Sequence, residues 1–362
     1  MTKDSSGPSV PVQCCIVVPA RDEERNIGPC LDGLLAQQGI DVSIIVVDDG
    51  STDRTGEVLE RYAGSIEVLD GGDEALPEDW LGKPWACQRG GQRALELFEG
   101  ERGRTQWILF VDADVRLEPR ALWASIGYAH EKKLGLLSGL GRLTMQGFWE
   151  KVLQPAVGGL IIAGNDLEKT NEPGKAKDRV LANGQFLLFE RSCYESIGCH
   201  ESVRVDVLDD VGLASTVVAA GGLYHLLFMR TLFSCRMYEG LGEIWEGWSK
   251  NLFAGLEFSW KNLLTVCAGL LTFTILPYLV LLWALCTGDG GAWLFWGVGL
   301  VTLIQLVRLY LDHLFGHELA YSLTHLLGMV LLVGLLANSA LRSSRGTTTW
   351  KGRTLPRGTG TL

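Results

Sequence analysis

Three long apolar runs close this chain, and they limit its architecture more than any other feature. Leu263–Cys286 is 24 residues without a charge, Gly291–Val307 is 17 more, and Leu319–Leu341 is 23 interrupted only by His325. The second run extends to Leu311 if Arg308 snorkels toward the surface. Each is close to the ~20 residues a helix needs to cross a ~30 Å hydrocarbon layer. Trp283, Trp293 and Trp296 stand near the ends of the runs, where interfacial aromatics gather. We expect three transmembrane helices, 263–286, 291–311 and 319–341, followed by a polar basic tail, 342–362.

Charge divides the chain the same way. The last hundred residues, from Leu263 on, carry six basic and three acidic side chains, so the first 262 hold −13 against an overall −10. An acidic globular part lacks the basic footprint of a nucleic-acid binder, so no nucleic-acid partner is expected. Nine irregularly spaced cysteines form no disulfide framework. Cys193, Cys199 and His200 lack a fourth ligand at zinc-site spacing. Reduced, buried cysteines fit a cytosolic domain. The polar stretch 1–11 has no apolar core, so no signal peptide is expected.

Residues 12–240 alternate short apolar runs with helical patterns. Cys14–Val18, Val42–Val47, Ile66–Leu69 and Trp107–Val111 have the content of buried strands; 26–37, 53–62 and 84–97 have helical spacing. That alternation predicts an α/β domain with a mostly parallel sheet, whose ligands bind beyond the carboxyl ends of its strands. Two mixed stretches, 148–163 and 244–260, set Trp and Phe beside Lys and suit helices lying in the bilayer interface; an amphipathic segment, 241–262, would join the domain to the first span.

The strand ends are where the unusual residues fall. The first run leads into Pro19-Ala20-Arg21-Asp22-Glu23-Glu24, the second into Asp48-Asp49-Gly50-Ser51, the fourth into Asp112-Ala113-Asp114. Any one could be a turn or helix cap. Three acidic clusters on one sheet edge call for a cation or a hydrogen-bonding ligand. Asp112 and Asp114 suit Mg2+ or Mn2+, with phosphate oxygens completing the shell. Lys83, opening the helical stretch that begins near Pro84, is placed for a phosphate. Asp209 and Asp210 precede an apolar helical run, either as caps or with a general base among them.

These motifs closely resemble those of family 2 inverting glycosyltransferases of GT-A fold. The subset most similar is the hopene-associated membrane glycosyltransferases and their carotenoid-glycosylating relatives, through Leu76–Ala86, Phe148–Lys151, Asn183-Gly184-Gln185, 247–251 and Trp350–Arg353. The resemblance implies a GT-A domain followed by membrane helices. It implies a nucleotide pocket lined by Pro19, Ala20, Glu23 and Asp49, with Asp48 supporting the turn and Lys83 touching the diphosphate. Asp112 would meet the ribose or diphosphate, Asp114 the metal, and Asp210, beside Asp209, would be the base. Gln185, His200, Trp248 and Lys250 would serve the acceptor side. Trp248 and Lys250 stand where processive synthases carry Gln-x-x-Arg-Trp, which disfavours a polymer synthase. Gly198-Cys199-His200 departs from the expected Gly-Gly-His.

The expected activity is inverting transfer of a sugar from a nucleotide-sugar, UDP-linked, to a membrane lipid, a hopanoid or other isoprenoid; ceramide, polyprenyl phosphate or a polysaccharide are the alternatives. A dinucleotide oxidoreductase would need G-x-G-x-x-G after the first strand, which is missing. A non-catalytic scaffold would leave the acidic clusters unexplained. The expected location is the cytoplasmic membrane, with the domain in the cytosol. One conflict remains. Three crossings put the tail outside, whereas Arg342, Arg345, Lys351, Arg353 and Arg357 favour the inside.

Overall fold

The computed structural model describes Pro8 and residues 10–71, 76–100, 103–165, 167–172, 180–288 and 290–355. Most of the expected N-terminal tail and the last seven residues of the basic tail, Arg357 included, lie outside the described residues. The chain forms two compact units: residues 1–144 with 165–237, and residues 145–164 with 238–362.

The first unit is built on a seven-stranded sheet. Its strands are β1 (Val12–Ala20), β2 (Asp41–Asp48), β3 (Glu67–Asp70), β4 (Thr105–Val111), β6 (Leu136–Leu140), β8 (Phe186–Glu190) and β9 (Tyr224–Phe228), in the order β3-β2-β1-β4-β8-β6-β9. A small second sheet, ordered β5-β10-β7, joins β5 (Val115–Leu117), β7 (Arg142–Leu143) and β10 (Phe233–Cys235). β3, β2, β1 and β4 run parallel to one another, as do β6 and β9. β8 runs antiparallel to both β4 and β6, so the sheet is mixed at the position where the chain pattern gave no direction.

Both faces of the sheet are covered, and this explains the unbroken apolar strands. Cys14 through Val18 are all fully buried. Cys14, Ile16 and Val18 join one cluster, and Cys15 and Val17 the other, the two-residue alternation of a strand. At about 1.5–3 kcal/mol per buried aliphatic side chain, β1 is a principal source of the core's stability. The helix Gly82–Phe98 approaches β1 closely. A Cβ on Gly90 would fall 2.3 Å from Val17 Cγ1, so only glycine lets the backbone come this near.

The second unit contains helices Phe148–Gly164 and Leu241–Gly255 and three helical stretches long and apolar enough to cross a membrane: Trp260–Thr287, Ala292–Phe315 and Leu319–Arg345. The first starts three residues before the expected span. Ser259 caps it, its Oγ accepting from the Asn262 N–H, and a π-helical turn interrupts it at Leu271–Ile275. The second continues four residues past Leu311. Arg308 does not snorkel; it is buried and pairs at 2.6 Å with buried Asp312, which also accepts from Ser322 Oγ at 2.7 Å. Charges paired this way let the helix continue. The first two stretches pack tightly at Gly297, whose Cβ would lie 2.9 Å from Leu281 Cα, and share a hydrogen bond from Gln305 to the Tyr278 hydroxyl. Small residues and side-chain hydrogen bonds are the usual glue between helices in lipid.

Candidate active site

Sheet register gathers the acidic clusters. Ala20 of β1 pairs with Asp48 of β2, and Val17 with Phe110 of β4, so the segments after β1, β2 and β4 leave from one edge. β8 runs the other way, with Phe186 opposite Val111. Its leading segment, Asn183-Gly184-Gln185, therefore reaches the same edge.

The first two clusters interlock. Asp48 holds its own turn, its Oδ1 accepting from Ser51 N–H at 3.0 Å and Ser51 Oγ at 2.6 Å. The Asp49 N–H donates to the Ala20 carbonyl at 2.8 Å, and Arg21 donates to the Asp49 carbonyl. Asp22 stands at φ 51°, a left-handed conformation tolerated by Asp. It accepts from the Thr52 N–H at 2.7 Å, while its own N–H donates to Ser51 Oγ at 3.0 Å. The Glu23 N–H donates to Thr55 Oγ1 and its carboxylate accepts from Asn26. Pro19, Ala20, Glu23, Asp48 and Asp49 thus share one rigid double loop.

Lys83, in the first turn of Gly82–Phe98, forms an ion pair with Asp112 Oδ1 at 2.6 Å. Burial works to lower its pKa, but Asp112 and then Asp209 raise it well above the usual lysine value. Asp114 is pushed up to about 7 by burial, then by the charges of Asp112 and Glu23. The Cys235 thiol hydrogen-bonds to it, yet Asp114 Oδ1 is buried without a hydrogen-bond partner. Such an atom is costly unless a cation or donor meets it. Among the described residues no group of three or more His, Cys, Asp or Glu side chains is arranged to hold a metal. The pair Asp112 and Asp114 fits Mg2+ or Mn2+ only in the manner of a substrate-completed shell, with one or two carboxylates and phosphate oxygens.

Asp209 and Asp210 open the helix Asp209–Ala219 as its first-turn residues; the cap position is Leu208. Neither is the cap residue itself, although Asp210 bonds a first-turn N–H. Asp210 accepts from the Gly184 N–H at 2.7 Å through Oδ2 and from the Val211 N–H at 2.8 Å through Oδ1. Burial and the Asp209 charge push its carboxyl up to about 6, against the lowering effect of Lys83 and the two N–H groups. A Cβ on Gly184 would lie 3.2 Å from Lys83 Nζ and 3.4 Å from Asp210 Oδ2. Gly184 therefore joins the Lys83–Asp112 pair to Asp210, and its missing side chain leaves room between them.

His200 is a correction. It was expected near the acceptor but is 1% exposed, packs on the Phe110 ring at 4.4 Å and is bonded through Nδ1 to the Tyr194 hydroxyl at 2.8 Å. Burial and then Lys83 press its pKa down to about 3, so it is a neutral core side chain. Gln185 donates to Cys235 Sγ at 3.1 Å and accepts from Asn183. Sequence reasoning missed Cys235, which bridges Gln185 and Asp114. It missed the role of the Gly184 N–H as well, though Asn-Gly-Gln was a visible motif. Trp248 and Lys250 belong to the second unit: Trp248 donates to Gln154 Oε1 at 2.9 Å, and Lys250 Nζ stands over the Trp350 ring at 4.9 Å.

Comparison with known proteins places this geometry. Residues 15–168 match the family model "Glycosyl transferase family 2". A 4,4'-diaponeurosporenoate glycosyltransferase of Staphylococcus aureus (strain MRSA252) is 31% identical over 245 residues, covering 66% of this chain and 60% of the relative. The chain thus spans less than two thirds of that relative's length. A mannosyltransferase from Pyrobaculum calidifontis, solved in complex with GDP-Man and Mn2+, superposes with a TM-score of 0.51 at 14% identity, over 94% of this chain and 89% of that one; it shares the fold. The sheet is of the expected GT-A type, and residues 15–168 of the chain are similar to glycosyl transferase family 2.

Proposed function

We propose that this chain is a membrane-anchored inverting glycosyltransferase that moves a sugar from a nucleotide-sugar to a lipid acceptor. The observation that carries the reading is that Gly184 joins the Lys83–Asp112 pair to the raised carboxyl of Asp210, while Asp114, with its unpartnered Oδ1, lies within the charge of Asp112 and Lys83. The interlocked loops of Pro19, Ala20, Glu23, Asp48 and Asp49 would hold the nucleotide. Lys83 would release Asp112 and turn to the diphosphate, neutralising the charge that grows on the leaving group. Asp112 and Asp114 would hold Mg2+ or Mn2+, which supplies Lewis-acid stabilisation of that diphosphate. Asp210 would take the proton from the acceptor hydroxyl as its oxygen bonds to the anomeric carbon and the bond to the diphosphate breaks on the opposite face. A carboxyl near 6 is mostly ionised at neutral pH and still basic enough to receive a proton.

The acceptor we favour is an isoprenoid lipid, hopanoid or carotenoid-like, bearing a hydroxyl or carboxyl. The name of the staphylococcal relative supports an isoprenoid acid. The apolar helices support an acceptor that stays in the bilayer, and the amphipathic stretch of Trp248 and Lys250 would meet its polar end. A cytosolic domain on the cytoplasmic membrane, where nucleotide-sugars are made, completes the proposal. The test uses the full chain in nanodiscs with radiolabelled UDP-glucose, other nucleotide-sugars and a lipid extract. Label in the organic phase that requires a divalent ion and Asp210 supports the reading; label confined to a soluble product refutes the lipid acceptor.

A further inference from the structure

The third apolar helix is unlike the other two. Of its apolar stretch 39% is buried, against 17% and 11%, and besides the first half of the first span it packs on the two helices that precede the spans. At its start, Glu318 pairs with Lys151 at 2.6 Å and Tyr321 meets the Phe148 ring at 5.9 Å. Two turns on, a Cβ at Gly328 would lie 2.9 Å from the Val152 carbonyl oxygen. Further along, Ser339 Oγ donates to the Ser249 carbonyl at 2.6 Å and accepts from the Phe253 N–H, while Asn338 donates to Ser249 Oγ at 2.7 Å. Beyond its end, Trp350 stands against Tyr238 at 6.3 Å and under Lys250.

Chain connectivity turns these contacts into topology. Phe148 is four residues from Thr144, and Tyr238 is one residue from Met237; both Thr144 and Met237 belong to the first unit. The segment 145–164 also returns to that unit at Asn165. Four residues reach at most ~14 Å, so the residues that hold the two ends of the third helix follow within a few residues of the points where the chain leaves the first unit. A spanning helix would leave its ends on opposite surfaces, ~30 Å apart across the hydrocarbon.

We infer that the third helix, His325–Arg345, does not cross the membrane but lies along its surface on the side of the first unit. Its outward stripe, Leu323, Leu327, Val330, Gly334, Ala337 and Leu341, all exposed in the protein alone, rests on the lipid. The spacing of four and three residues is one continuous helix face. The occupant of that face is the bilayer leaflet, because the stripe is continuous with a chain that has just left the membrane at Phe315. Arg342, Arg345, Lys351 and Arg353 then lie beside the same leaflet, where basic residues meet anionic headgroups. Two crossings, Trp260–Thr287 and Ala292–Phe315, bring the tail back, and the conflict with the positive-inside rule disappears.

The test is cysteine labelling of the full chain, with the exposed Cys286 replaced by Ser. Glu60→Cys reports the first unit, Gly291→Cys the turn between the spans, and Thr354→Cys the segment after the third helix. Intact and permeabilised cells are treated with a membrane-impermeant maleimide. Thr354→Cys is expected to label together with Glu60→Cys and opposite to Gly291→Cys; labelling together with Gly291→Cys overturns the inference. A cysteine appended after Leu362 repeats the test if Thr354→Cys accumulates poorly. Spin labels at Leu327, Gly334 and Leu341 in nanodiscs give an independent measure. Equal shallow depths are expected, and a Gly334 label at the bilayer centre overturns the inference. Neither measurement reads sugar transfer, so either can fail while the proposed function stands.

Discussion

Replacing Asp210 by Asn separates the chemistry from the fold, and its outcome can be worked out beforehand. The carboxyl is raised from 3.8 to about 6. Because the folded value is the higher one, ionising this group costs stability that is present below 3.8 and lost as pH rises toward 6. At neutral pH the cost is about 3 kcal/mol, from 1.36 kcal/mol per pH unit. Asn removes it. Against that, both carboxylate oxygens accept backbone N–H groups, from Gly184 and Val211. Asn has one oxygen, so its NH2 must face a donor, costing about 1–3 kcal/mol. The two effects nearly cancel, and Asp210→Asn should melt within a few degrees of the parent. Transfer should fall about 10²–10⁴-fold, some 3–5 kcal/mol of transition-state stabilisation, with donor affinity little changed. In the parent, kcat/KM should fall about tenfold per pH unit below 6, leaving about a tenth at pH 5. The assay is transfer of labelled sugar to lipid from pH 5 to 8, with donor binding measured by calorimetry. An Asp210→Asn enzyme that keeps both its rate and its acid limb refutes the assignment; if Asp209→Asn is the inactive one, the base is Asp209.

Removing divalent ions with EDTA should abolish transfer, and Mn2+ or Mg2+ should restore it; an Asp114→Ala enzyme fully active in EDTA would show that Asp114 holds no metal. Lys83→Met leaves Asp112 without its 2.6 Å partner and should raise the donor KM at least tenfold, read by initial rates at fixed acceptor. Gly90→Ala drives a methyl to 2.3 Å from Val17 Cγ1 and should destabilise the first unit by about 1–3 kcal/mol, measured by thermal unfolding. Trp248→Ala should impair transfer to lipid far more than hydrolysis of the donor, the two rates being compared in one preparation.

The part of the site built from strand ends was legible because parallel strands deliver their following residues to one edge. Pro19 through Glu24, Asp48–Asp49 and Asp112–Asp114 could be assembled from that rule alone. The half that arrives by β8 could not, since four apolar residues, Phe186 to Phe189, do not state their direction in a sheet. The Gly184–Asp210 hydrogen bond joins residues 26 positions apart, and Gln185–Cys235 joins residues 50 apart; no local pattern encodes either. His200 misled because a histidine near a carboxylate pair resembles chemistry, whereas its partner, Tyr194, is a buried ring six residues back. The apolar length of the third helix predicted a crossing. The surface path we infer for it rests instead on long-range pairings such as Ser339 with Ser249, which length cannot report.

The cysteines have a practical bearing on how this protein can be handled. Cys14, Cys15, Cys30, Cys87 and Cys235 are buried, and burial pushes each thiol well above its ordinary value. Thiolate is the species that oxidants and alkylating agents attack, so these five should stay intact through purification in air. Cys286, beside the turn between the spans, is the exposed one. A maleimide dye or biotin handle should therefore attach there first, on the native sequence, at the turn of the membrane hairpin.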